Sequence, residues 1–256
     1  MTTGEPSAPL RTGWEDDTPS SDSLTLATLR AMADRTTDWA QAVGGRVRRD
    51  PGMVLADALS PCLFLNVATV STVVDPVTAR AVADFFPAQR PFLLATPHPT
   101  ADLRPAGLVP VGHPPFMVRA AGGTAPEPPP GISLVEVRDA AGLDIWDRVL
   151  AEGFPTPYSP APPALLGGPA RFWLAWADGE PVGTALSYVA HGVVDVEAVA
   201  TLPGHRRRGI GAALTWAATL ADPDLPAVLM ASDDGVGVYR EMGYLPVTRW
   251  TLWCRP

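Results

Sequence analysis

Lysine is absent from the 256 residues, and all 19 basic side chains are arginine. Arginine, alanine and proline share GC-rich codons, so the composition points to a high-GC bacterial origin. Cysteine is almost absent too. Cys62 and Cys254 stand alone among apolar neighbours, in no CxxC or Cys/His spacing, so a metal site has no support and both read as buried free thiols. No run approaches 18 apolar residues, which argues against a membrane-spanning helix. The first 23 residues are acidic and polar, without the basic start and apolar core of a signal peptide, so a cytoplasmic location is expected. The net charge of −8 and the lack of a basic stripe argue against nucleic-acid binding. Arg206–Arg208 is the one dense basic run and is too short to track a duplex; Arg46, Arg48 and Arg49 read as solvated surface.

With 46% hydrophobic residues, the chain can bury a sizeable core. Residues 1–23 read as a disordered leader. Apolar residues at helical spacing from Leu24 to Val43 predict a helix ended by Gly44–Gly45. A strand is expected over 62–70, a helix from Asp75–Pro76 to about Phe86, and a strand over 92–95. Residues 121–131 are rich in Pro and Gly and read as a linker between domains at 24–120 and 132–256. Beyond it the pattern gives a strand at 133–137, a helix at 140–154 and a proline-rich loop at 154–168. Antiparallel strands follow at 171–177, 180–189 and 193–201, with turns at Asp178–Gly179 and His191–Gly192. A helix at 209–220, a strand at 228–231, a helix at 235–242 and a single strand at 246–253 complete an α+β, mixed-sheet pattern. Sliding the sequence by 136 residues lays Pro91–Arg119 on Ala227–Arg255 without a gap. Leu93/Leu229, Ala95/Ala231, Arg104/Arg240, Gly107/Gly243, Pro110/Pro246, Val111/Val247 and Arg119/Arg255 are then identical, so two copies of one architecture are expected.

The chemistry concentrates in Val194–Leu214. A strand enters a turn at Leu202–Pro203, followed by Arg206, Arg207, Arg208, Gly209, Ile210 and Gly211 at the start of a helix. The first-turn N–H groups of a helix lack internal partners, and the dipole adds partial positive charge. Glycines let a diphosphate approach the backbone, and arginine adds forked charge. A Walker loop would need a Lys–Ser/Thr pair. A dinucleotide fingerprint would need glycine where Leu214 stands.

The segment resembles the acetyl-CoA-binding motif of the GNAT acetyltransferase superfamily, Arg/Gln-x-x-Gly-x-Gly/Ala. The preceding meander and the later Tyr239-Arg240-Glu241-Met242-Gly243-Tyr244 are similar to that family's order of elements over 131–256. The resemblance implies the GNAT acyl-CoA N-acyltransferase fold in two GNAT-like halves and acetyl-CoA as co-substrate. It implies direct attack by an amine in a ternary complex. Backbone groups of Val199, Ala200 and Thr201 would pair with pantetheine, the Val199 N–H facing the thioester oxygen. The N–H groups from Arg206 to Ala212 would hold the pyrophosphate, and Tyr239 would lie near the sulfur and protonate it on leaving. Asp195 and Glu197 share one strand face, so either could take the amine proton, or both could form a solvated face. At the same offset the first half has Asp75 at its helix start, which would repel a diphosphate, and Leu103 where Tyr239 stands. That half is expected to bind no CoA and to close the acceptor side, as tandem members do, with Phe154, Tyr158 and Leu165–Leu166 shaping the acceptor pocket. The five tryptophans from Trp173 to Trp253 and the four histidines read as core, wall or surface. The expected acceptor is a small-molecule amine, without metal, nucleic acid or membrane; a homodimer is compatible with the sequence. A protein N-terminus as acceptor and a non-catalytic acyl-CoA sensor are the alternatives.

Overall fold

The computed structural model describes residues 21–154 and 156–256, so most of the expected leader lies outside the described residues. The described residues open with α1 (Ser21–Ala42), a hairpin of β1 (Arg46–Asp50) and β2 (Met53–Asp57), then β3 (Asn66–Val70), α2 (Pro76–Phe85), β4 (Phe92–Thr96), β5 (Val109–Gly112) and β6 (Pro115–Arg119). After the Pro/Gly stretch come β7 (Ile132–Val137), α3 (Ala140–Gly153), β8 (Ala170–Ala177), β9 (Glu180–Ala190), β10 (Val193–Thr201), α4 (Ile210–Thr219), β11 (Ala227–Met230), α5 (Val236–Glu241), β12 (Leu245–Arg249) and β13 (Thr251–Arg255).

These elements build two mixed sheets, ordered β1-β2-β3-β4-β13-β5 and β12-β6-β11-β10-β9-β8-β7. In each, two antiparallel pairings lead into a parallel pairing, β3 on β4 or β10 on β11, with a crossover helix between. Neither sheet belongs to one side of the 121–131 stretch. β6 lies between β11 and β12, and β13 lies between β4 and β5, so each half lends its last strand to the other. The exchange keeps the 136-residue offset. Cys254–Val109, Trp253–Pro110 and Leu252–Gly112 face each other in one sheet; Leu245–Val118, Pro246–Met117 and Thr248–Phe116 do so in the other. Both pairings skip the residue after the proline, Val111 or Val247.

The core is correspondingly shared. Trp39 of α1 packs on Phe172 of β8 with ring centroids 6.3 Å apart, Trp146 of α3 meets the same ring edge-on at 5.1 Å, and Phe116 of β6 meets Trp250 at 5.7 Å. Such side chains contribute about 1.5–3 kcal/mol each on burial, so the seam between halves holds like a domain interior. α1 packs on β1, β2 and β3 and also on β9 and β10.

Three expectations change. The strand expected over 62–70 starts at Asn66; Leu63–Leu65 form a 3-10 turn. Asn66 causes this: its Oδ1 accepts the Ala58 and Ser60 N–H groups, and its Nδ2 donates to the carbonyls of Ser60, Cys62 and Pro91. The arginines at 46–49 are surface residues, but they lie on a hairpin strand that their polarity disguised. The single strand expected over 246–253 is two strands, parted at the buried Trp250 and belonging to different sheets.

Candidate functional site

β10 pairs with β11 in register only at Val194–Ala227 and Asp195–Val228, the Val194 N–H donating to the Pro226 carbonyl at 3.0 Å. From Val196 onward the two strands part, and the inner edge of β10 is left open. On its other side β10 is interrupted by a bulge against β9 between Glu197 and Ala200. Ala198 carries the distortion with φ of +52°, and the Thr184 hydroxyl holds it by donating to the Ala198 carbonyl at 2.9 Å. A non-glycine residue in that region costs about 1 kcal/mol or more and marks a site worth attention. Gly183 beneath it permits the approach: a Cβ there would lie 2.8 Å from both the Ala200 carbonyl oxygen and Leu214 Cδ1. Val199, Ala200 and Thr201, the residues expected to pair with pantetheine, thus sit on the bulged, splayed segment.

The strand continues into a 3-10 turn, Pro203–His205, and the arginine loop. Its three guanidinium groups do different things. Arg206 turns back, donating from Nε to the Thr201 carbonyl at 3.1 Å and from Nη2 to the Gly153 carbonyl at 2.9 Å, so it braces the loop. Arg207 is exposed with φ of +64°. Arg208 hydrogen-bonds the His205 ring at 3.0 Å and stands 4.0 Å from Asp178. Gly209, at φ of +77°, caps α4 without any side-chain bond. Within α4 the Ala213 N–H reaches the Gly209 carbonyl at 3.0 Å, so the N–H groups of Ile210, Gly211 and Ala212 emerge from the first turn. The Ile210 side chain is core. A Cβ on Gly211 would meet only Thr201 Oγ1, at 3.7 Å. No protein contact demands glycine there, which leaves room for a diphosphate.

The equivalent helix start in the other half is closed. Asp75 accepts the Thr78 N–H at 2.7 Å and caps α2 itself. A 3-10 turn, Arg104–Ala106, replaces α5, and Leu103 is buried in the place of Tyr239.

Tyr239 projects from α5, its ring centroid 6.0 Å from that of Tyr244. Tyr244 is fully buried and bonds Thr219 at 2.6 Å, tying the Gly-aromatic segment to α4. Burial, and then the charge of Glu197, push the Tyr239 hydroxyl above its ordinary pKa, so it keeps its proton at neutral pH. Asp195 and Glu197 share a face of β10, as the spacing implies, but that face is not solvated. Arg35 of α1 donates from Nη2 to Glu197 Oε1 at 2.9 Å and places Nε 3.5 Å from Asp195 Oδ2. Asp195 is 1% exposed, and burial first, then Glu197, push its pKa up to about 8 against the pull of Arg35.

Phe154 and residues 156–168 close this side against the first half. Phe154 meets Phe64 at 5.8 Å, Ser159 bonds Ser60 at 2.7 Å, and Tyr158 donates to Asp144 at 3.2 Å. Asp147 of α3 accepts the Ala161 N–H at 2.9 Å, while its Oδ1 is buried without a partner; burial raises its pKa to about 7. Leu165 is buried beside α1, and Leu166 packs partly on the same core. Arg35 and Asp147 escaped the sequence reading. The available signal was one arginine at helical spacing on the face that carries Ala31, Met32 and Trp39. Among the described residues no cluster of His, Cys, Asp or Glu could hold a metal, and no helix is long and apolar enough to cross a membrane.

Comparison with known proteins places this geometry. The acetyltransferase (GNAT) family matches residues 143–244. A GCN5-related N-acetyltransferase from Kribbella flavida superposes with a TM-score of 0.67 at 24% identity, over 91% of this chain and 96% of that one. A putative GNAT-family acetyltransferase from Novosphingobium aromaticivorans gives 0.58 at 16% identity, over 90% and 95%. A conserved protein from Staphylococcus epidermidis gives 0.58 at 12% identity, over 83% and 94%. The fold is therefore shared along nearly the whole chain, both sheets included. No curated protein matches.

Proposed function

We propose, from the premise that residues 143–244 are a GNAT-family acetyltransferase domain, that this chain moves an acetyl group from acetyl-CoA to the amine of a small molecule. The observation that carries the reading is the parting of β10 from β11 at a bulge that ends beside an uncapped helix start. An extended pantetheine arm suits the open edge as an added strand. The N–H groups of Ile210, Gly211 and Ala212 suit the diphosphate, with Arg207 and Arg208 as flanking charge. Arg206 serves the loop rather than the ligand.

The amine nitrogen bonds the thioester carbon, and the carbon–sulfur bond breaks. The Val199 N–H, held by the bulge, is the candidate donor to the developing oxyanion. The nitrogen's proton passes to the Asp195–Glu197 pair, and the Tyr239 hydroxyl donates to the departing sulfur and regains its proton from that pair through water. The closed loop from Phe154 to Leu166 and α1 of the first half form the acceptor side, where a compact amine fits better than a folded protein's terminus.

Calorimetry with CoA and acetyl-CoA, on the wild type and on Gly211→Asp, tests the site. The variant places a carboxylate at the helix start, as Asp75 does in the other half, without steric cost. Binding in the wild type and none in a stably folded variant is expected. Equal affinity in both would refute the diphosphate site, and binding without thiol release across an amine panel would make the protein a sensor.

A further inference from the structure

We propose that Arg35, carried on α1 by the half without an Arg/Gly loop, is the positioning residue that makes Glu197 the proton acceptor of the reaction and keeps the pair from trapping the acceptor as an ammonium ion. The inference rests on the acyl-transfer reading above and deepens it.

The geometry is asymmetric. Arg35 makes a hydrogen bond to Glu197 at 2.9 Å, whereas its approach to Asp195 at 3.5 Å satisfies neither Arg35 Nε nor Asp195 Oδ2. Asp195 is sealed, but the Glu197 side chain is 26% exposed, so Glu197 alone can meet an incoming group. Arg35 binds one carboxylate oxygen of Glu197, Oε1, and fixes the direction of the other.

The surrounding charges leave Arg35 to this pair. On its own helix, Asp34 is held by His191 at 2.6 Å and by Arg49 at 2.7 Å, and Asp38 accepts from the Tyr188 hydroxyl at 2.6 Å. Tyr188 and His191 come from β9 and its turn, Arg49 from β1. Tyr239 and Tyr244 face the pair from α5 and the turn after it, and burial keeps both hydroxyls protonated. Among the described residues, the two carboxylates thus share one guanidinium, that of Arg35. Burial makes double ionisation unfavourable, so the pair holds a single proton near neutrality, and burial first, then Glu197, raise Asp195 as the member that keeps it. The cluster is then neutral overall. Without Arg35 it would carry net negative charge, and an amine entering it would stay protonated and lose its nucleophilic lone pair. With Arg35 in place the amine arrives neutral. Its proton moves to Glu197, directly or through water, as the C–N bond forms and the C–S bond breaks.

The test compares wild type, Arg35→Lys and Arg35→Gln in thiol release from acetyl-CoA with an amine panel between pH 6 and 10. In Arg35→Gln the acid limb of kcat should move up by about 1–3 pH units, and kcat at pH 7 should fall at least about tenfold. The KM for acetyl-CoA should stay within about twofold, and Arg35→Lys should restore most of kcat. An unshifted profile, or parallel loss of kcat and acetyl-CoA binding, would overturn the proposal and make Arg35 a structural tie. Should Arg35→Gln fail to fold, the lysine variant carries the comparison: retained kcat with an unmoved acid limb is expected, and loss of kcat despite the kept charge would overturn the proposal. Should the wild type bind acetyl-CoA without turnover, the transferase reading fails by itself. Carboxyl carbon NMR titration of Asp195 and Glu197 in wild type and Arg35→Gln still decides the inference: separate titration steps that move up when the cation is removed support it, and two independent, unmoved carboxylates refute it.

Discussion

Asp147→Asn should make the protein more stable at pH 8 and leave it nearly unchanged at pH 5. Asp147 is 4% exposed; one oxygen caps the Ala161 N–H and the other has no partner. Burial raises its folded pKa from 3.8 to about 7, so the folded state binds a proton that the unfolded state has already released across that window. Stability therefore falls as pH rises from about 4 to about 7 and is flat beyond. Linkage between pH 5 and 8 gives a loss of about 2–3 kcal/mol from this group. Asparagine keeps an oxygen for the Ala161 N–H and has no charge to bury. Urea denaturation of both proteins at pH 5 and 8 measures the difference. Asp195, raised to about 8, tilts the curves the same way, so the difference between proteins isolates Asp147. Equal slopes with pH, or a variant no more stable at pH 8, would show that the carboxylate is ionised without cost and that the loop leaves it wet.

Other outcomes follow from single contacts. Gly183→Ala puts a methyl 2.8 Å from the Ala200 carbonyl; it should cost about 1–3 kcal/mol by denaturation and weaken acetyl-CoA binding by calorimetry. Tyr239→Phe should lower kcat in thiol release by about 10²-fold or more while leaving the KM for acetyl-CoA alone; unchanged turnover would remove the tyrosine from the reaction. Trp253→Ala should cost about 3–5 kcal/mol, because the buried indole also donates to Thr100 at 2.8 Å. Hydrogen exchange should then show β4 and β5 losing protection, although the substitution lies after α5. Loss confined to β6 and β12 would contradict the exchange of strands.

Local signals carried much of this into the sequence. The Asp178–Gly179 and His191–Gly192 turns have positive φ at all four residues, as two-residue hairpins require. The Arg/Gly segment opens α4, and Asp75 closes the matching helix, because caps are decided by the few residues at a helix end. The 136-residue offset survives down to the skipped valines. What escaped depends on distance along the chain. Nothing in PFMVR or TLWCR says that either strand pairs across the seam, since an apolar pentapeptide fits any buried sheet position. Arg35 and Glu197 lie 162 residues apart, and their pairing is a property of how α1 crosses both sheets. Nothing in the sequence of α3 sets Asp147 apart from its exposed neighbour Asp144; only the loop folded over it buries it. The Ala198 bulge left no mark either, because alanine is not the residue that a left-handed backbone favours.

The lent strands also set a timetable for the chain's own synthesis. β4 is buried throughout, yet the neighbour that covers one of its edges, β13, lies about 155 residues downstream. At roughly 5–20 residues per second, a nascent chain displays that apolar edge for about 8–30 s before the covering strand exists. An uncovered edge of this kind is a template for pairing with other chains. Substitutions that weaken β13 should thus reduce soluble yield more than they reduce the activity of the molecules that reach the folded state.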